Sequence, residues 1–91
     1  QVYYSRANEA SRDIAESIQN KTADFLRSEN KRKIKPADSS IYVLDNLELP
    51  AVLVECGFLS NRAEATLLGT AAYQDKLACV IYAAVCDAIS K

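Results

Sequence analysis

The chain has 91 residues, a formal net charge of −1, and a composition that is 49% hydrophobic and 25% charged. This composition is typical of a globular protein and excludes disordered, collagenous and low-complexity classes, while the length allows one small domain over residues 1–91. The near-zero charge argues against a nucleic-acid-binding protein, and no apolar run approaches the ~20 residues of a membrane-spanning helix. The sequence contains no His, which excludes His-dependent metal or triad chemistry within this chain.

The first half of the chain predicts a strand, a long helix and a second strand. Residues 1–4 are rich in β-forming side chains, residues 8–28 carry apolar side chains at helical spacing, and residues 41–47 have the pattern of a strand. Ser11 and Thr22 lie inside the apolar stripe of the helix, where either hydroxyl can bond a backbone carbonyl one turn back. We expect the core face of this helix to consist of Ala7, Ala10, Ile14, Ile18, Phe25 and Leu26.

A polar connection follows the helix and carries four basic side chains within residues 31–35. Such a run suits either an anionic partner or a solvated loop. The chain as a whole is slightly acidic, and no aromatic side chain lies beside the run to stack on a base. A solvated loop is therefore the favoured interpretation.

The second half predicts a buried strand and two helices. Residues 51–54 are continuously apolar, which is typical of a strand buried on both faces. Asn61 and Glu64 have the spacing of a capping box at the start of a short helix that stops at Gly69. Thr70 can cap the last helix, residues 71–90. Its predicted core face consists of Tyr73, Leu77, Val80, Ile81, Ala84, Val85 and Ala88.

The predicted order is β-α-β-β-α-α, which indicates an α/β protein with a partial mixed or parallel sheet of about three strands flanked by helices. Apolar strands in so small a sheet leave hydrophobic edges, which suggests that further strands are missing. The chain begins in an apolar run without an initiator Met and shows no signal peptide. We therefore expect a processed chain or a cut fragment.

The three cysteines do not form a disulfide framework. Cys79 and Cys86 lie seven residues apart on one predicted helix, a rise of roughly 10.5 Å that exceeds the ~7 Å Cα separation a disulfide allows. No C-x-x-C spacing is present, which argues against a zinc ribbon. We expect free, inert thiols, Cys56 included.

Glu55 is the main candidate for chemistry. It directly follows the apolar strand, and ligands in open α/β sheets bind at the carboxyl ends of strands. There we expect partial desolvation of its carboxylate and a role in moving protons. The alternative is structural, because Glu55 can also pair with a Lys or cap a neighbouring helix.

The stretch of residues 50–61, Pro-Ala-Val-Leu-Val-Glu-Cys-Gly-Phe-Leu-Ser-Asn, closely resembles the signature of zinc-dependent N-acetylmuramoyl-L-alanine amidases of the type 3 family. These enzymes are peptidoglycan hydrolases. The resemblance covers nearly the whole chain, including Ser11 and Ala15 in the first helix. The Cys that follows Glu55 makes the signature most similar to that of amidases of the germination or spore-cortex type.

The resemblance implies cleavage of the amide between N-acetylmuramic acid and L-alanine by a zinc-activated water, with Glu55 as general base and acid. Substrate contacts by Asn61 or Arg32 are a second implication, although capping by Asn61 and loop anchoring by Arg32 suffice to explain both residues. The family binds zinc through two His and one Glu upstream of the segment that residues 1–4 match. The chain therefore resembles the C-terminal half of a larger three-layer α/β amidase domain. We expect zinc to bind the intact domain but not this chain by itself. The chain alone is therefore expected to have no activity.

Partners and location follow from the same resemblance. Peptidoglycan is the expected substrate, which places the protein outside the cytoplasm, at the cell wall or spore envelope. The expected protein partner is the missing N-terminal half or a second copy of the chain. The alternative function is non-catalytic, a fragment that self-associates through its sheet edges or through a small-residue face on the last helix, formed by Ala72, Cys79, Ala83 and Cys86.

Overall fold

The computed structural model describes residues 1–26, 32–57 and 61–90. Within these ranges the elements are β1 (Val2–Tyr4), α1 (Glu9–Phe25), β2 (Lys35–Pro36), α2 (Tyr42–Asp45), β3 (Val52–Val54), α3 (Arg62–Leu68) and α4 (Ala71–Ile89). The α/β class, with a three-stranded mixed sheet flanked by helices, is confirmed. None of the helices in the described ranges is long and apolar enough to cross a membrane.

The sheet has the order β2-β1-β3, with β1 parallel to β2 and antiparallel to β3. Its core side is formed by alternate residues of β1 and β3, which pack with Ala15, Ile18 and Ala84 of the helices. Leu53 belongs to the opposite face and is 41% exposed. The prediction of a strand buried on both faces is therefore wrong, because β3 is an edge strand of the described sheet and α1 and α4 cover only one face.

The second strand does not lie where the sequence predicts it. Residues 41–47 were expected to be extended, yet Tyr42–Asp45 forms the short helix α2. Local side-chain bonds favour this turn over a strand: the Ser40 N–H donates to Asp38 Oδ1 at 2.8 Å, and Asn46 Nδ2 donates to the Tyr42 carbonyl at 2.8 Å.

The strand that takes its place is β2, inside the connection interpreted as a solvated loop. Its residues Lys35 and Pro36 are exposed, and they pair with Tyr3 and Tyr4. The ladder continues through the Ala37 N–H, which donates to the Tyr4 carbonyl at 2.8 Å. The pairing thus depends on main-chain groups, and no apolar pattern in the sequence predicts a strand at Lys35 and Pro36. Residue 31 of the basic run lies outside the described residues.

Helix α1 begins where the sequence predicts, because the Asn8 side chain accepts the Ala10 N–H at 2.9 Å. Thr22 Oγ1 donates to the Ile18 carbonyl at 2.8 Å, as expected. Residues 27 and 28 of the predicted helix lie outside the described residues.

The core face of α1 matches the predicted one only in part: Ile18 is buried and Ile14 packs against the core, as expected. Its buried residues are Ser11, Ala15, Ile18 and Gln19, whereas Ala7 and Ala10 are exposed and Phe25 is 70% exposed. Small side chains allow the sheet and α4 to approach the helix closely, so they occupy the inner face although they contribute little to the hydrophobic pattern.

Helix α4 packs against α1 as its apolar face predicts, and Leu77 and Ala84 are buried. Ser17 Oγ donates to the Ala84 carbonyl at 2.8 Å across the helix pair. The Thr70 side chain accepts the Tyr73 N–H at 3.3 Å and caps the helix, as predicted. All three cysteines are free thiols in the structure.

Candidate active site

Glu55 follows β3 directly and is held by its main chain. Its N–H donates to the Gln1 carbonyl at 2.8 Å, and the Gln1 nitrogen donates to the Glu55 carbonyl at 3.1 Å. These bonds close the β1–β3 ladder and leave the carboxylate to project from its end. The Glu55 residue is exposed, so the expected partial desolvation is wrong for the described chain.

The strand directions also correct the location inferred for Glu55. It lies at the carboxyl end of β3, as the sequence predicts. Because β3 runs antiparallel to β1, that point is the amino end of β1 and of its parallel neighbour β2. The rule for carboxyl ends of parallel strands therefore does not apply to this edge.

Several charged groups lie close to the same end of the sheet. The Gln1 nitrogen lies within electrostatic range of the charged groups of Arg32, Glu55 and Glu64. Arg32 and Glu55 are thus within electrostatic range of one point in the structure. Both residues are candidates from the sequence, but the sequence does not predict that they lie at the same end of the sheet.

Gln1 connects the two segments. Its Nε2 donates to the Lys33 carbonyl at 2.7 Å, and its main chain pairs with Glu55. The segment that carries Arg32 is therefore bonded to the residue that faces Glu55. A side chain immediately before a short strand carries no motif, so sequence reasoning missed this role.

Asn61 occupies the cap of α3. Its Oδ1 accepts the Glu64 N–H at 3.1 Å, which confirms the capping interpretation. The charge of Glu64 lies within electrostatic range of the Gln1 nitrogen. The sequence identified Glu64 only as a capping partner, and a substrate contact by Asn61 stays a prediction.

Gly57 permits a close approach between the end of β3 and α3. A Cβ atom built at this position would lie 3.0 Å from Leu68 Cδ1 and 3.4 Å from Glu64 Cβ. Glycine is required here by this close packing and not by its backbone conformation, because Gly57 does not adopt a positive φ. Residues 58–60 of the signature lie outside the described residues.

Replacing Asn61 by Ala is expected to lower the free energy of unfolding by about 1 kcal/mol, because α3 loses the acceptor for its first free N–H groups. Asn61→Ser is the matched control, since Ser also supplies a capping oxygen and is expected to retain near-normal stability. Urea denaturation followed by circular dichroism measures both. An Asn61→Ala variant as stable as the unchanged chain would contradict the capping role.

The chain's own donors do not fit a zinc site. The sequence has no His, and across the residues that the structure describes no three Cys, Asp or Glu side chains are grouped closely enough to hold a metal ion. Glu55, Cys56 and Glu64 all act on Gln1 electrostatically, but they do not form such a group. The described residues therefore place an exposed carboxylate, that of Glu55, at this end of the sheet without a group of metal ligands beside it.

Comparison with known proteins decides the family. Residues 1–87 match the family model described as N-acetylmuramoyl-L-alanine amidase. The chain belongs to this family. The amidase resemblance inferred from the residue 50–61 signature is thereby confirmed.

Relatives of this amidase-family chain come from several bacteria. The germination-specific N-acetylmuramoyl-L-alanine amidase of Bacillus subtilis is 41% identical over 68 residues, covering 68% of this chain and 29% of that protein. The amidase AmiA of Escherichia coli is 35% identical over 78 residues, covering 76% of this chain and 27% of AmiA.

A solved structure extends the likeness to three dimensions. The CwlD amidase from Clostridioides difficile, in complex with the GerS lipoprotein, matches with a TM-score of 0.91 and 37% identity. The match covers 99% of this chain and 45% of that chain. This amidase-family chain therefore spans less than half the length of each of these relatives.

Proposed function

We propose that the protein carrying this chain is a peptidoglycan hydrolase that cleaves the amide between N-acetylmuramic acid and L-alanine. The observation that carries the proposal is the family match over residues 1–87, within which Glu55 projects from the end of the central β1–β3 ladder. The 0.91 TM-score with the CwlD amidase supports the same conclusion.

In this proposal Glu55 serves as general base and then as general acid. Its carboxylate takes a proton from the attacking water and returns it to the amine of L-alanine as the amide breaks. An exposed carboxylate on a rigid main chain suits this task, since both Glu55 main-chain groups are bonded to Gln1. Arg32 lies at the same end of the sheet, and we assign it to substrate binding together with Asn61.

The zinc ion implied by the family resemblance belongs to a longer protein. Its ligands are not among this chain's residues, which contain no His. We propose that residues 1–91 form the C-terminal portion of a single three-layer amidase domain. The uncovered face at Leu53 and the edge position of β3 leave room for a partner layer supplied by the rest of that domain.

The proposed location is outside the cytoplasm, at the cell wall or spore envelope. Peptidoglycan lies there, and the relatives include a germination-specific amidase. The CwlD structure contains a lipoprotein, which agrees with this location.

Activity measurements test the proposal directly. A longer protein that contains this chain and a zinc site is expected to release peptides with a new amino-terminal L-alanine from purified peptidoglycan, detected by mass spectrometry. The isolated chain supplied with zinc is expected to release none, because it lacks the metal ligands. Turnover by the isolated chain would contradict the need for an upstream half, and an inactive longer protein would overturn the proposed activity.

A further inference from the structure

We infer that Ser11 is a positioning residue for Glu55, acting through the register of β3. The inference rests on the proposed function for its catalytic consequence, although its structural part is independent of any activity. It starts from a buried hydroxyl on α1 that bonds a different element from the one expected.

Ser11 and Ser5 both form hydrogen bonds with Ala51, the residue that precedes β3. The fully buried Ser11 side chain accepts the Ala51 N–H through its Oγ at 2.8 Å, and the Ser5 N–H donates to the Ala51 carbonyl at 3.0 Å. Pro50 precedes Ala51 and has no N–H, so Ala51 is the first donor of the incoming strand. Both main-chain groups of Ala51 are therefore fixed, one by α1 and one by the extension of β1.

The strand's own side chains specify its register weakly. β3 is three residues long, and residues 51–54 are all aliphatic, so a shifted pairing would place a similar side chain at each position. Register is strongly specified where a one-residue slip would move the apolar side chains from a buried face to solvent, and a run that is aliphatic on both faces carries little of that penalty. The hydrogen bonds at Ala51 therefore help to fix the register of β3, which the hydrophobic pattern specifies only weakly.

A register shift would displace Glu55. Each residue of slip moves a strand by about 3.3 Å, and a slip of one residue transfers every side chain to the other face. Val52 and Val54 pack on the helix side, so Glu55 belongs to the face of Leu53. After a one-residue slip, the position beside Gln1 would be taken by a neighbour of Glu55, and the carboxylate would leave the site.

Amide hydrogen exchange on the 91-residue chain tests the structural part. The Glu55 amide reports the β1–β3 pairing through its bond to Gln1, and the Ala37 amide reports the β1–β2 pairing through its bond to Tyr4. In Ser11→Ala, we expect Glu55 exchange to accelerate by about tenfold relative to Ala37, the size of one lost buried hydrogen bond. An unchanged ratio would overturn the inference.

Ser17→Ala is the matched control. It removes a hydroxyl from the same helix, but that hydroxyl bonds the Ala84 carbonyl of α4 instead of β3. Loss of stability alone accelerates both reporter amides in either variant, whereas loss of register changes the Glu55-to-Ala37 ratio only in Ser11→Ala. A changed ratio in Ser17→Ala as well would overturn the assignment to Ser11.

The variants Ser11→Thr and Ser11→Val separate the hydroxyl from its volume. The two side chains have the same shape, and only Thr retains an acceptor for the Ala51 N–H. We expect slower Glu55 exchange in the Thr variant than in the Val variant. Equal exchange in the two would contradict a role for the hydroxyl.

Kinetics of a longer, zinc-containing amidase that carries this chain test the catalytic part. Ser11→Ala is expected to lower kcat by about tenfold with KM unchanged, and Ser17→Ala to leave both unchanged. A changed exchange ratio with normal kcat would reduce Ser11 to a structural role and overturn the positioning claim. Absence of turnover in the unchanged protein would instead overturn the proposed function, while the exchange ratio would still decide the structural part.

Discussion

Substitution of Glu55 by Gln is expected to lower peptidoglycan turnover by about 10²–10⁴-fold in a longer, zinc-containing amidase that carries this chain, the usual contribution of a positioned general base. Gln retains the size of Glu but cannot accept the proton of the attacking water. Initial rates of peptide release, measured with the same peptidoglycan preparation, give the ratio. The loss is expected in kcat, because the substituted group acts on the reacting atoms and not on substrate binding.

Stability is not expected to change in this variant. The Glu55 side chain is exposed, and the bonds that hold the residue in the ladder use its main-chain N–H and carbonyl. Thermal unfolding of Glu55→Gln should therefore coincide with that of the unchanged protein. This result would separate a catalytic loss from a folding defect.

Glu48→Gln provides a matched control. Glu48 is also exposed, but it lies before β3, whereas Glu55 follows β3. The main-chain carbonyl of Glu48 accepts a hydrogen bond from the Asn8 side chain. We expect its turnover to stay within twofold of the unchanged protein. If Glu55→Gln retained more than a tenth of the activity, or if Glu48→Gln lost as much, Glu55 would not be the base.

The site could be predicted from the sequence only where local rules decide it. Asn61 and Thr70 cap their helices as expected, because a cap depends on residues within one turn. Glu55 follows its strand for the same reason. The direction of β3 is not local: it depends on how the chain returns after α2, and an antiparallel return brought Glu55 to Gln1 instead of to the carboxyl ends of the other strands.

The fold departs from the prediction where main-chain bonding outweighs side-chain pattern. Lys35 and Pro36 form a strand without any β-forming side chain, because β1 offers unpaired main-chain groups beside them. Tyr42 and Val43 have strong β propensity, yet they lie on α2 and are exposed. Propensity is weak evidence for segments this short, since the bonds of a few polar neighbours decide their conformation.

The buried face of α1 leads to the largest expected effect on stability. Ile18 is 1% exposed and packs in the core with Val2, Ala15 and Ala84. Substitution of Ile18 by Ala is expected to lower the free energy of unfolding by about 2–5 kcal/mol, the cost of the removed methyl groups and of the cavity they leave. Domains of this size are stable by roughly 5–15 kcal/mol at most and often by less, so the variant is expected to be near its unfolding midpoint in mild denaturant.

Phe25→Ala is the control that distinguishes the structure from the sequence pattern. The helical spacing places Phe25 and Ile18 on the same core face, but Phe25 is 70% exposed in the fold. We therefore expect Phe25→Ala to change stability by no more than about 0.5 kcal/mol, although it removes the larger side chain. Urea titrations followed by far-UV circular dichroism suit both variants, because the chain has no Trp to report unfolding by fluorescence.

The comparison of the two variants decides how far the core extends along α1. A large loss in Ile18→Ala together with a small change in Phe25→Ala supports a core that includes Ile18 and ends before the last turn of the helix. Equal losses would place Phe25 in the core, as the hydrophobic pattern alone predicts.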